Sequence, residues 1–274
     1  MHIVTTIAGS DSGGGAGIQA DLKTFQELKV FGTTVITALT AQNTRGVSGV
    51  LPIEAAFVKQ QLQALLDDFS ISAVKTGMLF SSAIIHTIAQ VIADTNIPLI
   101  VDPVMIAKGG ESLLQQEAID AIIHYLLPIA TIVTPNIPEA ETLTGKKINT
   151  IADIKKAADH LLATGVHCAI IKGGHLADTT NAIDYVFFQD GQAFSMQTPR
   201  IATKNTHGTG CTFSAALTAF VGRGLSIKEA IIEAKKFIQL AITHDLALGH
   251  GHGPTNHFAY QNDKRSCEVT IYES

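Results

Sequence analysis

Leu99–Val101, Thr131–Thr134 and Cys168–Ile171 are short apolar and β-branched runs without an in–out alternation of polarity. A strand with one wet face alternates, so strands like these belong to a sheet covered by helices on both sides. They sit within a longer alternation. Ile3–Ala8, Thr33–Ala41 and Ala73–Thr76 also read as strands, and helical spacing recurs over Glu54–Asp68, Ser81–Asp94, Glu111–Leu126 and Ile151–Thr164. Ile18, Leu22, Phe25 and Leu28 mark a helix after the first strand, and Ile227, Ala230, Ile231, Ala234, Ile238, Ala241 and Ile242 mark the last. Ile183–Phe188 and Ala193–Gln197 flank a QDGQ turn and predict an antiparallel hairpin. The expected fold is α/β: a doubly wound, mostly parallel sheet with an antiparallel hairpin toward one edge. No Pro/Ser-rich linker or internal repeat divides the chain, so residues 1–274 read as one domain.

Composition narrows the partners. A net charge of −5 without a Lys/Arg cluster argues against nucleic acid. No apolar run reaches the ~18 residues of a membrane span. Cys168, Cys211 and Cys267 are odd in number and widely spaced, which suits a reducing compartment. The N-terminal MHIVTTIAGSDS lacks the form of a signal peptide, and the expected location is cytoplasmic.

Polar residues gather where the strands stop. Leu99–Val101 runs into Asp102, Thr131–Thr134 into Pro135-Asn136 and then Glu139, and Cys168–Ile171 into Lys172. Ligands of open α/β sheets bind beyond the carboxyl ends of the strands, so these four side chains should converge on one crevice. Two carboxylates with a lysine suit a Mg²⁺–nucleotide, the metal held largely through water and the ammonium facing phosphate. Taken singly, Asp102 also reads as a turn cap, Glu139 as a first-turn helix acid and Lys172 as a surface residue.

KNTHGTGCTFSAA, from Lys204, adds an anion site. Gly208, Thr209 and Gly210 form a flexible turn before a helix, which aims free N–H groups and the positive helix pole at one point. Cys211 falls in the first helical turn, where that pole is expected to lower its pKa. Spacing alone leaves open an ordinary glycine-capped helix. The loop Gly9–Gly17 has neither a G-x-G-x-x-G register nor a Walker sequence, and reads as small residues that let another molecule approach the backbone. His250, His252 and His257 read as part of a C-terminal loop near the site rather than a metal cluster, and the Gly- and polar-rich stretches Ile106–Gly110 and Gly174–Asn181 as lids.

IAGSDSGGGAGIQADLKTF from Ile7, VITALTAQNT from Val35, KTGML from Lys75, DPVMIAKGG from Asp102, TPNIPEAE from Thr134, IKGGH from Ile171, NTHGTGCT from Asn205 and GHGPTNHF ending at Phe258 occur in order along nearly the whole chain. With these motifs the chain resembles the hydroxymethylpyrimidine and hydroxymethylpyrimidine-phosphate kinases of thiamine biosynthesis, a branch of the ribokinase superfamily. The resemblance implies a ribokinase-like transferase that uses ATP with Mg²⁺ on a small pyrimidine, as a homodimer. It implies that Gly208, Thr209 and Gly210 neutralise the moving phosphoryl group, that Cys211 is the catalytic base, and that Lys172 contacts nucleotide phosphates. It implies that Asp102, Asn136 and Glu139 serve Mg²⁺ and phosphate, and that Gln42 bonds the pyrimidine in a pocket lined by Gly9, Ala16, Thr40 and Met78. An apolar residue is expected at position 40, which would leave the Thr40 side chain no part in binding; Met78 also reads as core filling. Two rivals remain: a pyridoxal kinase of the same branch, and a nucleotide-sensing protein that has lost catalysis. The intact set of Cys211, Lys172, Glu139 and Gly210 weighs against the second.

Overall fold

The computed structural model describes residues 1–105, 115–173, 180–263 and 267–273. Ile106–Gly110 and most of Gly174–Asn181 therefore lie outside the described residues. The chain opens with β1 (Ile3–Asp11), α1 (Gly17–Glu27), β2 (Phe31–Asn43) and β3 (Gly46–Pro52). Next come α2 (Ala55–Asp68), β4 (Ile71–Thr76), α3 (Ser82–Ala93), β5 (Leu99–Val101) and α4 (Gln116–Ala121). After α4 the helix widens into a π turn over Ile122–Leu126 and ends in a 3₁₀ turn, so the single helix expected there changes pitch twice. Then follow β6 (Ile132–Val133), α5 (Ile137–Thr144), α6 (Ile151–Leu162), β7 (Cys168–Lys172), β8 (Asn181–Phe188) and β9 (Ala193–Pro199). The last elements are α7 (Thr209–Gly222), α8 (Ile227–Thr243), α9 (Ala259–Asp263) and β10 (Thr270–Glu273).

The strands form one ten-stranded sheet in the order β10-β9-β8-β7-β6-β5-β4-β1-β2-β3. The six from β7 to β2 are parallel. Antiparallel strands close both edges: β8, β9 and β10 on one side, β3 on the other. One edge therefore carries more than the expected hairpin, and the other carries a pairing that the sequence did not announce. In β3 (GVSGVLP) the glycines and solvent on both faces remove any alternation. The short β10 is likewise mostly exposed.

Successive residues of the inner strands serve opposite cores. Leu99, Val101, Ala169 and Ile171 pack with Leu62 of α2, Ile88 of α3 and Ile154 of α6, whereas Ile100, Cys168 and Ile170 pack with Phe25 of α1, Phe213 of α7 and Phe237 of α8. Both faces are dry, which is why these runs do not alternate. Helix α1 lies on one face and α3 on the other because the chain winds outward from β1 in one direction and from β4 in the opposite direction. The winding reverses between β1 and β4, and the crevice beyond their carboxyl ends is the position this topology offers a ligand. No helix among the described residues is long and apolar enough to cross a membrane.

Among the described residues, one ion pair lies wholly inside. Lys75, near the end of β4, places Nζ 2.8 Å from both carboxylate oxygens of Asp21 on α1, and both side chains are fully buried. Thr6 donates to the same carboxylate at 2.6 Å. Removing one partner strands a buried charge, at a cost of about 3–5 kcal/mol. Lys75→Met is therefore expected to lower the free energy of urea unfolding by about that amount, and K75M/D21N to recover more than half of it, because the asparagine leaves no charge to strand.

Candidate active site

The carboxyl ends of the central strands open onto a cleft of about 750 Å³. Every residue that the resemblance assigns to catalysis or binding lines it: Gly9, Ala16, Thr40, Gln42 and Met78 on the β1–β2 side, and Asp102, Asn136, Glu139 and Lys172 beyond β5, β6 and β7. Gly208, Thr209, Gly210 and Cys211 reach it from the start of α7.

The α7 terminus is built by glycine. Gly208 has φ +78°, and a Cβ there would meet the Gly15 carbonyl oxygen at 1.8 Å. The molecule that the Gly9–Gly17 loop admits is thus its own chain: two glycine loops lie back to back. No side chain caps α7. The Gly210 and Cys211 N–H groups, in its first turn, have no intrahelical acceptor and carry the positive pole of a 14-residue helix. A Cβ at Gly210 would stand 3.4 Å from Lys172 Nζ and 3.6 Å from Asp102 Oδ2, so the missing side chain leaves a hollow above that pair.

Asp102 is 1% exposed, with Lys172 Nζ and Thr134 Oγ1 each 3.3 Å from its Oδ1 and Ser214 Oγ 3.0 Å from its Oδ2. Burial alone would lower the Lys172 pKa, but Asp102 and Glu139 overcome it and hold the ammonium charged. Asn136 and Glu139 form a reciprocal cap at the start of α5: Glu139 N donates to Asn136 Oδ1 at 2.9 Å and Asn136 N to Glu139 Oε2 at 2.8 Å. The Asn136 side-chain oxygen is thereby engaged in holding Glu139. Burial pushes the Glu139 carboxyl up to about 7, assisted by Asp102 and opposed by Lys172. Among the described residues no three His, Cys, Asp or Glu side chains gather as a metal cage. Two carboxylates and an open hollow suit an ion held mostly by water and phosphate oxygens, as Mg²⁺ is.

Cys211 departs from expectation. Cys211 is partly buried in the cleft wall, and burial pushes the thiol up to about 11, with Lys75 and the Gly17 N–H opposing and Asp21 and Asp102 adding to the rise. The helix pole does not outweigh the loss of water. The Thr40 hydroxyl lies 2.8 Å from the Ser10 carbonyl and 3.1 Å from Gln42 Oε1, so it is engaged within the protein. Met78 is partly exposed in the cleft, and its methyl fills the space beside Gly9, where a Cβ would approach it to 2.3 Å.

Residues not singled out complete the site. Asp11, at the end of β1, accepts N–H bonds from Gly13, Gly15 and Ala16 and lies 2.8 Å from His207 Nε2. Burial would raise its pKa, but His207 and the loop N–H groups more than offset this, so Asp11 is held below the usual carboxylate range. At the far end of the cleft Lys235 pairs with Asp184 at 2.7 Å, among apolar Ile201, Phe213, Ile238 and Ile242. Of the three C-terminal histidines, His252 N donates to the Thr44 carbonyl and His257 Nε2 lies 3.1 Å from Thr212 Oγ1, so this segment braces the site.

Residues 11–256 match the phosphomethylpyrimidine kinase family. The chain is 53% identical to the hydroxymethylpyrimidine/phosphomethylpyrimidine kinase of Haemophilus influenzae, over 94% of this chain and 97% of the relative. Among solved structures it resembles the pyridoxal kinase of Staphylococcus aureus in complex with AMP-PCP and pyridoxal, at 38% identity and TM-score 0.89 over the full length of both chains. It also resembles the phosphomethylpyrimidine kinase of Clostridium difficile, at 42% identity and TM-score 0.77 over 88% of this chain and 100% of the other.

The raised Glu139 carboxyl has a consequence for stability. The folded protein holds a proton there that the unfolded chain gives up near pH 4.5, so stability falls as pH rises from about 4.5 to 7. Glu139→Gln keeps a capping acceptor and removes the charge. In metal-free buffer E139Q is expected to match the unsubstituted protein near pH 4.5 and to exceed it by on the order of 2 kcal/mol at pH 8, read from thermal melts across that range.

Proposed function

The chain belongs to the phosphomethylpyrimidine kinase family and is a phosphotransferase; we propose that it moves the terminal phosphoryl group of ATP first to the hydroxyl of hydroxymethylpyrimidine and then to the phosphate of the product, as one catalytic domain of thiamine biosynthesis in the cytoplasm. The observation that carries this reading is the placement of the uncapped α7 terminus between two unlike halves of one cleft. On one side lie Lys172, Asp102 and Glu139; on the other lie Gln42, Thr40, Ala16, Gly9 and Met78. The nucleotide tail belongs to the first half and the flat ring to the second.

Asp102 and Glu139 would hold Mg²⁺, and Asn136 fixes Glu139 by capping. The bound ion supplies charge neutralisation at the phosphates. Lys172 neutralises a phosphate oxygen, while the Gly210 and Cys211 N–H groups stabilise the charge on the phosphoryl group in flight. Gln42 has both a donor and an acceptor for an aminopyrimidine edge, and Met78 lies against the ring face. Transfer of this kind depends mainly on positioning and charge, so the alcohol proton leaves late and the small thiolate fraction of a cysteine with a high pKa is enough to take it, returning to the thiol. Cys211 is the group we assign to receive it.

The assignment fixes a pH profile. With the thiol at about 11, kcat/KM is expected to climb through pH 9 without a plateau attributable to Cys211, and Cys211→Ala to lower kcat by about 100-fold or more while ATP binding persists. Unchanged turnover in C211A removes the base. In the same coupled ADP-release assay, hydroxymethylpyrimidine and its monophosphate are expected to outpace pyridoxal in kcat/KM; the reverse order would select the pyridoxal kinase reading favoured by the Staphylococcus aureus likeness.

The β3 edge of the sheet supports a homodimer. Strand β3 ends the sheet, and Leu39, Val50, Leu51 and Phe57 on β2, β3 and α2 are exposed apolar side chains. An apolar sheet edge of this kind is usually covered. Light scattering is expected to give twice the chain mass, and Leu51→Glu to shift the population toward the monomer.

A further inference from the structure

Gln42 is held at its backbone, not at its amide. Ser12 Oγ lies 2.8 Å from both Gln42 N and Gln42 O, clasping the main chain from the Gly9–Gly17 loop. The side-chain amide lies between two polar neighbours. Its Nε2 is 3.3 Å from His207 Nε2, and its Oε1 is 3.1 Å from Thr40 Oγ1. The sense of the amide decides which of its groups faces each end of a bound ring.

The proton count at both neighbours settles that sense. Asp11 is an ionised carboxylate and only accepts, so the 2.8 Å contact with His207 Nε2 requires a proton on that nitrogen. A protonated ring nitrogen has no lone pair, and an amide NH₂ facing it sets donor against donor. Thr40 has one hydroxyl proton, and the shorter contact, 2.8 Å to the Ser10 carbonyl, claims it because a carbonyl only accepts. Thr40 Oγ1 is then an acceptor, and an amide oxygen facing it sets acceptor against acceptor. A half turn of the amide exchanges its oxygen and nitrogen without moving the chain and removes both clashes: the NH₂ then donates to Thr40 Oγ1, and the oxygen takes the weaker share of the His207 Nε2 proton that Asp11 holds.

We propose that Asp11, acting through His207, sets the sense of the Gln42 amide, with its oxygen toward His207 and its NH₂ toward Thr40, and so makes His207 a specificity-determining positioning residue. Each amide group then has one site left for the ring: a lone pair on the His207 side and an N–H on the Thr40 side. A ring with an exocyclic amine next to a ring nitrogen answers this pair with two hydrogen bonds in one orientation only. A ring without the amine leaves that lone pair without a donor in a half-buried site, which lowers affinity. His207 also precedes Gly208, and its backbone N–H donates to the Gly253 carbonyl at 3.0 Å, so the residue that orients the ring is anchored where the phosphoryl site begins.

This inference rests on the aminopyrimidine reading for its substrate, and its test separates the two. In long-range ¹⁵N–¹H spectra of the free protein, His207 is expected to carry a proton on Nε2; a His207 protonated on Nδ1 alone overturns the inference whatever the enzyme phosphorylates. The kinetic arm compares hydroxymethylpyrimidine with the analogue whose exocyclic amine is replaced by hydrogen. His207→Phe is expected to raise KM for the amino substrate about tenfold or more, to change kcat much less, and to erase most of the preference over the analogue. His207→Gln, which restores an N–H near Nε2, is expected to restore the preference. Equal losses on both substrates, or a preference unchanged in H207F, would reduce His207 to a structural part and sink the proposal. If the unsubstituted enzyme ignores hydroxymethylpyrimidine while His207 carries its proton on Nε2, the substrate reading fails and the orienting network stands.

Discussion

A sheet packed dry on both faces has room for charge only where it is paired inside or emerges at the rim. In this protein the two cores consume the side chains of β5 and β6 in both directions, Lys75 of β4 is neutralised inside by Asp21, and Asp102, Asn136 and Lys172 appear where β5, β6 and β7 emerge. The reversal of winding between β1 and β4 then brings a glycine loop and a methionine to the same rim. The site is the place where this chain has polar residues to spare and the topology leaves a gap.

The electrostatics follow from that placement. The rim is shallow enough to admit a ligand and deep enough to strip water from the groups that line it. Glu139 and Cys211 are both pushed toward their neutral forms by burial, whereas the lysine between the carboxylates stays charged. The protein thus limits its own negative charge in a cleft that must receive a polyphosphate. Helix α7 contributes positive potential through its backbone, which cannot be titrated away.

Much of this was readable from residues alone. Unbroken apolar runs announced a sheet buried on both faces, and their polar ends announced the crevice. What escaped was what periodicity cannot encode. Strand β3 has glycines and solvent on both sides, so it offered no pattern. Asp11 lay within a quoted motif, but its partner His207 is 196 positions away, and only the fold brings a loop carboxylate to an imidazole. The raised pKa of Cys211 is hidden in the sequence for a related reason. A helix terminus is visible there, but the burial that outweighs it, and the Lys75, Asp21 and Asp102 charges that act on the thiol, come from distant parts of the chain. The resemblance places Thr40 in the pocket with an apolar side chain expected there, and only the fold shows its hydroxyl against the Ser10 carbonyl and Gln42.

The contact between Gly15 and Gly208 leaves no slack: two stretches of backbone touch where even a methyl group has no room. One stretch belongs to the half of the cleft assigned to the acceptor, the other to the half assigned to the donor. A displacement of a few tenths of an ångström on either side must therefore be passed across the joint rather than absorbed. Such a hinge-free seam makes the two halves a single mechanical part, and drift that retunes one of them has to be accommodated by the other.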